Sequence, residues 1–410
     1  MQVTTKSGNT YTYDVSTNEI TCGDVTCNMH RMHFKKLDRI ISLPNLDTIT
    51  IGITDKCNLR CSYCCYSGEY RNTRSHGIKS LSFDDLNAVL NFVSASIEKR
   101  PIVFSFYGGE CLLEFESIKK FVQLAKARFS NEVAFEISTN GVLLSEEIIK
   151  WCVAYKVKLF ISIDGTQSYH DKCRRDINGN ASYDKVYQAI KYLYTNHQQY
   201  FISHIEFMMT LSDLMDIKQI SKEWQMDEIL RVKPPLRIST IAPNYGKGVD
   251  KIDFKLKLSE FYDLLEYYGE HSNYSVLRVF FERWLAEWIE RPIFRIDCPQ
   301  EVPTCIPRNR KIYIDSSGDI GICEKIPDTF RIGNIYDGIN WNSVNITAGA
   351  LEKVITSRCP TCSVARVCDI CPIILDLSKD EMDIFCHNQR VEQEVKLLMF
   401  CELAERGLIC

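Results

Sequence analysis

The chain has 410 residues, enough for two or three domains at about 150 residues each, and its 45% hydrophobic and 25% charged content is that of an ordinary globular protein. Lys and Arg total 49 against 53 Asp and Glu, a net charge of −4 that gives no electrostatic basis for binding nucleic acid. No apolar run reaches the roughly 18 residues of a membrane helix, and the polar opening MQVTTKSGNTYTYD lacks the apolar core of an export signal. A cytoplasmic protein with no membrane or nucleic-acid partner is expected.

Residues 1–45 contain two β-prone runs, YTYDV and NEITC, and read as a small N-terminal β region. A strand-then-helix rhythm begins at residue 46. Ile49–Ile53, Ile102–Phe106, Val133–Ile137, Leu159–Ile163, Ile205–Met209 and Leu236–Ile241 are short apolar or β-branched runs bounded by Gly, Asp, Asn or Pro, and are predicted as buried strands. Helical spacing of apolar residues marks Ser82–Lys99, Phe115–Phe129, Ser145–Tyr155, Tyr183–Tyr194 and Asp213–Leu230; the first opens on Ser-Phe-Asp-Asp, an N-cap with acidic residues in the first turn. Six such units predict an α/β fold. Residues 46–290 are long enough to curl a parallel sheet into an open six-stranded barrel, with chemistry at the carboxyl ends of its strands. Over residues 291–410 the rhythm stops and Cys, Pro and Gly punctuate the chain, as in a domain held together by ligands more than by a core, closed by a C-terminal helix.

The chain has 19 cysteines, and in a reducing compartment clustered cysteines point to metal binding or catalysis. Directly after the first strand stand Cys57, Cys61 and Cys64, spaced x3 and x2. Iron–sulfur clusters are ordinarily held by four thiolates, so three leave one iron open to a substrate or cofactor. Zinc sites favour paired CxxC units with a fourth ligand nearby, and only the adjacent Cys65 is at hand.

This triad, with Tyr63 ahead of its last cysteine, resembles the radical S-adenosylmethionine (SAM) enzymes, and the likeness runs over residues 46–250. Tyr107-Gly108-Gly109-Glu110 resembles the family's GGE segment, which meets the methionine ammonium. Ser138-Thr-Asn140-Gly141 and Ser162-Ile-Asp164-Gly165 stand where the family contacts the ribose and the substrate side of the pocket. Arg174, within His170-Asp171-x2-Arg174, is implied to pair with the cofactor carboxylate, a role suited to a guanidinium fork. The resemblance thus implies SAM contacts at Tyr63, Gly108, Gly109, Glu110, Ser138, Asn140, Ser162 and Arg174.

Further along, Cys298-x6-Cys305-x12-Gly318-x4-Cys323 is followed by Cys359-x2-Cys362-x5-Cys368-x2-Cys371 and then Cys386. The series resembles the SPASM extension, with x2 in place of x3 between Cys368 and Cys371. It implies two auxiliary [4Fe–4S] clusters, one on Cys298, Cys305, Cys323 and Cys371, the other on Cys359, Cys362, Cys368 and Cys386. With the SAM-binding cluster the total is three. Taken without the triad, the two CxxC pairs fit a zinc ribbon as well as iron. The other eight cysteines, Cys22, Cys27, Cys65, Cys111, Cys152, Cys173, Cys401 and Cys410, read as small buried hydrophobes.

The resemblance implies an enzyme that uses reduced cluster and SAM to abstract a hydrogen from a peptide, with a ferredoxin or flavodoxin as electron donor. Cys65-Tyr66-Ser67-Gly68-Glu69-Tyr70-x3-Arg74-x-His76 resembles a stretch of maturases of Cys-rich ribosomal peptides, of ranthipeptide or sactipeptide type, which join a Cys sulfur to carbon as a thioether. Glu324, beside Cys323, is the candidate base by likeness to sulfatase-maturing enzymes, where an Asp holds that place; a salt bridge to Lys325 or Arg331 is the structural alternative. Other radical peptide chemistry (a carbon–carbon cross-link, epimerisation or formylglycine formation) stays open, as does a non-catalytic iron–sulfur or zinc scaffold.

Overall fold

A computed structural model describes residues 1–25, 32, 34–43, 45–68, 74–96, 101–129, 133–241, 251–293, 310–325, 328–368 and 370–409. Its contacts divide the chain into two compact units, one of residues 1–40, 248–305 and 345–410, the other of residues 41–247 and 306–344.

The first unit contains an antiparallel sheet of β1 (Gln2–Thr4), β2 (Thr10–Asp14) and β3 (Glu19–Cys22), the two runs foreseen plus a short third. It is otherwise helical. Tyr13 of β2 packs edge-on to Trp288 at 4.8 Å, and Trp288 Nε1 donates to Gln393 Oε1 at 2.8 Å. Gln393 lies on a long helix, Lys379–Glu405, started by a capping box between Ser378 and Glu381.

The second unit is the expected α/β barrel. β4 (Thr48–Thr54), β5 (Ile102–Gly108), β6 (Val133–Thr139), β7 (Lys158–Ser162), β8 (Ile205–Leu211) and β9 (Arg237–Thr240) pair in chain order and all in parallel. Ile49, Ile51 and Ile53 of β4, Phe104 and Phe106 of β5, and Ile205 and Phe207 of β8 alternate along their strands and are wholly buried. Helices α1 (Phe83–Ser96), α2 (Phe115–Phe129), α3 (Glu146–Tyr155), α4 (Gln167–Cys173), α5 (Tyr183–Asn196), α6 (Gln198–His204) and α7 (Ile217–Met226) fill the crossovers. Phe121 of α2 meets Phe104 and Phe106 edge-on at 5.0 and 5.5 Å, and Trp224 of α7 meets Phe207 at 5.7 Å.

Two features depart from the sequence pattern. The helix expected over Asp213–Leu230 is cut to Ile217–Met226, because the Asp213 carboxylate takes the Met215 N–H and Asp227 takes those of Ile229 and Leu230. Aspartates that bond nearby backbone compete with helix extension. After residue 309 the strand pattern does not end. β10 (Lys311–Ile314) joins β4 in parallel, and β11 (Asp319–Gly321), β12 (Arg331–Asn334) and β13 (Gly338–Ile339) add antiparallel strands beyond it. These strands are two to four residues long, too short to show a period. Among the described residues no helix is long and apolar enough to cross a membrane.

Gly52 of β4 shows how tightly β10 is fitted. A Cβ there would overlap the Tyr313 hydroxyl and ring. Gly52→Ala should destabilise the protein by about 1–3 kcal/mol, the usual cost of overpacking, read from the urea midpoint. Tyr313→Phe in the same chain should recover part of that loss, since the hydroxyl is the first atom met.

Candidate functional site

The loop leaving β4 carries Cys57, Cys61 and Cys64, all half-buried, and backbone hydrogen bonds pin it from two directions. Gly109 N–H donates to Thr54 O at 2.8 Å and Glu110 N–H to Lys56 O at 2.7 Å, so the end of β5 lies against the loop's first turn. Arg60 N–H donates to Arg175 O at 2.7 Å and Ser62 N–H to Cys173 O at 3.1 Å, tying the middle of the loop to the end of α4 and the segment after it. Gly108 sits at φ +123°, and a Cβ on Gly109 would run into the Lys56 carbonyl. Glycine is needed at both positions because backbone meets backbone there.

Each thiol has a nitrogen donor. Leu59 N–H points at Cys57 Sγ (3.4 Å) and Tyr66 N–H at Cys64 Sγ (3.4 Å), while an Arg174 guanidinium N–H reaches Cys61 Sγ at 4.0 Å. Asn140 Nδ2, at the end of β6, lies 3.9 Å from Cys57 Sγ and donates to Asn58 Oδ1 at 2.7 Å. Burial pushes the Cys57 thiol up to about 12 and Cys61 up to about 11. Cys64 is raised further, by its hydrogen bond with Cys65 and by burial. Free thiolates are therefore disfavoured here unless a cation offsets the desolvation.

The remaining strand ends close around this loop. The Glu110 carboxylate is wholly buried and accepts from Thr139 Oγ1 (2.8 Å), Asn140 N–H (2.7 Å) and Leu112 N–H (3.1 Å), locking the end of β5 to the end of β6. Arg174 is buried, pairs with Asp164 Oδ2 at 2.7 Å and lies over the Tyr63 ring at 5.4 Å. Tyr63 Oη also bonds to Asp164, whose other oxygen accepts Thr210 N–H at 2.8 Å. Ser138 and Ser162 stand half-buried at the ends of β6 and β7, and the Ser138 carbonyl accepts the Cys111 thiol at 3.2 Å. The structure thus gathers Tyr63, Asn140 and Arg174 directly around the three thiols. It adds Asp164, to which the sequence pattern assigned no role; a carboxylate ten residues before the arginine was the available signal.

Glu324 lies in the same unit, after β11. Its carboxylate forms a two-pronged ion pair with Lys311 Nζ at 2.9 and 2.7 Å, and Cys323 Sγ lies 3.4 Å from one oxygen. Burial works to raise the Glu324 carboxyl, but Lys311 outweighs it and holds it below the usual carboxylate range. The partner is neither Lys325 nor Arg331; Arg331 pairs with Asp319 at 2.6 Å.

In the other unit, Cys359, Cys362, Cys368 and Cys386 line one small cavity together with Ile374, Met382 and Phe385. Cys371 is exposed and does not line it, and Cys298 and Cys305 lie outside the described residues. Among the described residues, no three His, Cys, Asp or Glu side chains converge on a single metal ion. Of the cysteines expected to be buried hydrophobes, Cys111, Cys152, Cys173 and Cys401 are buried. Cys22 is exposed on β3, and Cys65 is half-buried. Cys27 and Cys410 lie outside the described residues.

Residues 51–213 match the family model for the Radical SAM superfamily. These residues form a radical SAM domain. Such a domain makes the chain an enzyme and implies a [4Fe–4S] cluster and SAM. A cysteine-type anaerobic sulfatase-maturating enzyme of Clostridium novyi is 31% identical over 156 residues, which cover 37% of this chain and about two fifths (41%) of that relative. A second enzyme of that description, from Clostridium perfringens, is 23% identical over 370 residues, 85% of this chain and 95% of the relative. A radical SAM cyclopropyl synthase of Paramaledivibacter caminithermalis is 24% identical over 356 residues, 83% of this chain and 70% of the relative. Among solved structures, native anSMEcpe with bound AdoMet and Cp18Cys peptide matches with a TM-score of 0.63 at 18% identity, over 88% of this chain and 98% of that one. That likeness is one of fold.

Behind the arginine of the radical SAM domain, His170 is fully buried, with Nε2 3.0 Å from Ser182 Oγ and Nδ1 facing Asp164 N–H at 3.4 Å. Burial, with Arg174 adding to it, pushes the imidazole down to about 4. Between that value and the ordinary one near 6.5, the unfolded chain binds a proton that the folded chain does not, so folding stability rises with pH across this window and falls as pH drops through it. His170→Asn should flatten the stability profile between pH 6.5 and 4 by up to about 3 kcal/mol at 1.36 kcal/mol per pKa unit, measured by urea unfolding at each pH.

Proposed function

We infer that this radical SAM enzyme modifies a peptide or protein substrate, and that its reaction joins a Cys sulfur to carbon as a thioether in a Cys-rich ribosomal precursor. The observation that carries the reading is the loop after β4, where three half-buried thiols each meet an N–H donor at the carboxyl end of the first barrel strand.

The donor set fits an iron–sulfur cluster. Nitrogen donors aimed at sulfur stabilise metal-bound thiolates. Cys57, Cys61 and Cys64 would hold it, leaving one iron for SAM. When bound, reduced cluster and SAM supply a radical that takes a hydrogen atom from the substrate. Gly108 and Gly109 bring backbone close to the site, Arg174 offers a buried guanidinium for a carboxylate, and Asp164 with Tyr63 orients it. Asn140 holds Asn58 and Cys57, and Ser138 and Ser162 would meet the ribose side of the cofactor. Glu110 acts through its position, since its carboxylate is already committed to Thr139, Asn140 and Leu112.

Net two-electron oxidation of the substrate also requires one electron and one proton to leave; an auxiliary cluster would accept the electron. Glu324 is the group that would take it, because Lys311 keeps its carboxylate ionised. Two further clusters are proposed on the remaining patterned cysteines. The shared cavity of Cys359, Cys362, Cys368 and Cys386 supports the quartet assigned to the second, while Cys298, Cys305, Cys323 and Cys371 would hold the first. A ferredoxin or flavodoxin would donate the electron, and the enzyme would work in the cytoplasm. The cysteine-type and serine-type sulfatase-maturating relatives favour a second reading, formylglycine formation on a protein Cys or Ser; a carbon–carbon cross-link or epimerisation would use the same residues.

The test is the mass of a cysteine-containing precursor peptide after anaerobic incubation with reconstituted enzyme, SAM and dithionite, followed by thiol alkylation. Thioether formation predicts loss of two hydrogens per event with one cysteine protected each time. An unchanged mass that gains deuterium in heavy water would replace it with epimerisation. Glu324→Gln should still cleave SAM while product formation falls by about 100-fold or more, the scale of general base catalysis.

A further inference from the structure

The chain that leaves the cysteine loop returns to it as a strap along the end of β4. Gly77 N–H donates to Asp55 O at 3.2 Å, Asp55 N–H to Lys79 O at 2.9 Å and Leu81 N–H to Ile53 O at 2.9 Å, so residues 77–81 are laced antiparallel to the strand end that leads to Cys57. The strap's start is held too, by a bridge between Ser67 and Ser75 and by His76 N–H, which donates to Tyr66 O at 2.8 Å. Residues 74–81 are therefore fixed at the carboxyl end of β4, beside the loop that carries the three thiols.

Two cations reach from the strap to the β10–β11 segment. Lys79 Nζ donates to Ser317 Oγ at 3.1 Å, in the turn between the two strands. Arg74 lies over the ring of Tyr313 on β10, with its guanidinium carbon 4.2 Å from the centroid, and its Nη1 donates to the Glu324 carbonyl at 3.0 Å. Tyr313 is a firm platform, since it is buried against Gly52 and its hydroxyl lies 3.2 Å from that of Tyr66. A planar guanidinium can stack on such a ring and donate from its edge at the same time.

Glu324 is thus gripped at two points. Lys311, two residues before Tyr313 on β10, takes its carboxylate, and Arg74 takes its carbonyl. The two grips differ for a group that accepts a proton. Its carboxylate must turn from Lys311 to the substrate, so the ion pair cannot hold the residue through the transfer. The carbonyl neither titrates nor changes partner, and a bond to it keeps the main chain in place while the side chain moves.

We propose that Arg74 is a positioning residue that holds the Glu324 main chain at a fixed place relative to the cysteine loop, so that the carboxylate can reach the proton it removes. This rests on the reading of Glu324 as the base. 

The experiment is hydrogen–deuterium exchange, read by mass spectrometry, on the anaerobically reconstituted protein and its Arg74→Met variant. The variant should exchange faster in peptides covering residues 319–325 and as wild type does in those of β5 to β8. Unchanged exchange at 319–325 would overturn the proposal, and so would a rise spread over the whole barrel, which marks a general structural role. With the cysteine-containing precursor peptide, SAM and dithionite, Arg74→Met should still form 5′-deoxyadenosine, while product per 5′-deoxyadenosine falls by up to about 100-fold, the scale of a displacement of about 1 Å. Added to Glu324→Gln, Arg74→Met should lower that yield no further, because it acts through Glu324; a second loss as large as the first would overturn the proposal. Should Arg74→Met not fold, Arg74→Gln takes its place under the same criteria. A Glu324→Gln variant with wild-type yield would sink the base reading itself, whereas an impaired Glu324→Gln beside an unimpaired Arg74→Met would sink the positioning role alone.

Discussion

Two backbone hydrogen bonds, Gly109 N–H to Thr54 O and Glu110 N–H to Lys56 O, hold the cysteine loop against the end of β5. They form because residues 108 and 109 have no side chains to keep the strands apart. The buried Glu110 carboxylate then carries the same constraint one strand further, onto Thr139 and Asn140. Asn140 passes it back to Asn58 and Cys57. The loop is thus held in a closed ring of bonds that runs through three strand ends, and thiol positions that would otherwise cost considerable conformational entropy are set before any metal arrives.

Charge is distributed around that ring with little to spare. Arg174 is buried, and Asp164 compensates it directly, so the pair places one cationic group beside Cys61 without leaving it unbalanced. A guanidinium there offers N–H donors to both the Asp164 carboxylate and the Cys61 sulfur. Glu324 and Lys311 repeat the arrangement on the far side of β4, where β10 and β11 bring a carboxylate and an ammonium together beside Cys323. Each pair consists of one acid and one base whose charges persist because they face each other, which lets ionised groups stand in a largely buried site at neutral pH.

Much of this was readable in the sequence, for identifiable physical reasons. The six barrel strands are apolar runs of five or so residues bounded by turn formers, and all six formed. The cysteine spacing and the glycine pair carried the site's location, because close backbone approach leaves glycine as the only solution. Three things were not readable. β10 to β13 are too short to carry a period. The partner of Glu324 is Lys311, thirteen residues earlier, and only the strand pairing brings the two together. The commitment of Glu110 to Thr139 and Asn140 depends on parallel register between β5 and β6, which no local pattern encodes.

The central claim is that the Cys57, Cys61, Cys64 loop holds a cluster at which SAM reacts. The most direct measurement is formation of 5′-deoxyadenosine from SAM by anaerobically reconstituted, dithionite-reduced protein, compared with its Cys61→Ala variant, alongside iron content. Wild type should form 5′-deoxyadenosine, whereas Cys61→Ala should form none and lose about four irons per chain. Equal cleavage by the variant, or a wild-type protein that takes up zinc and no iron at these residues, would contradict the claim.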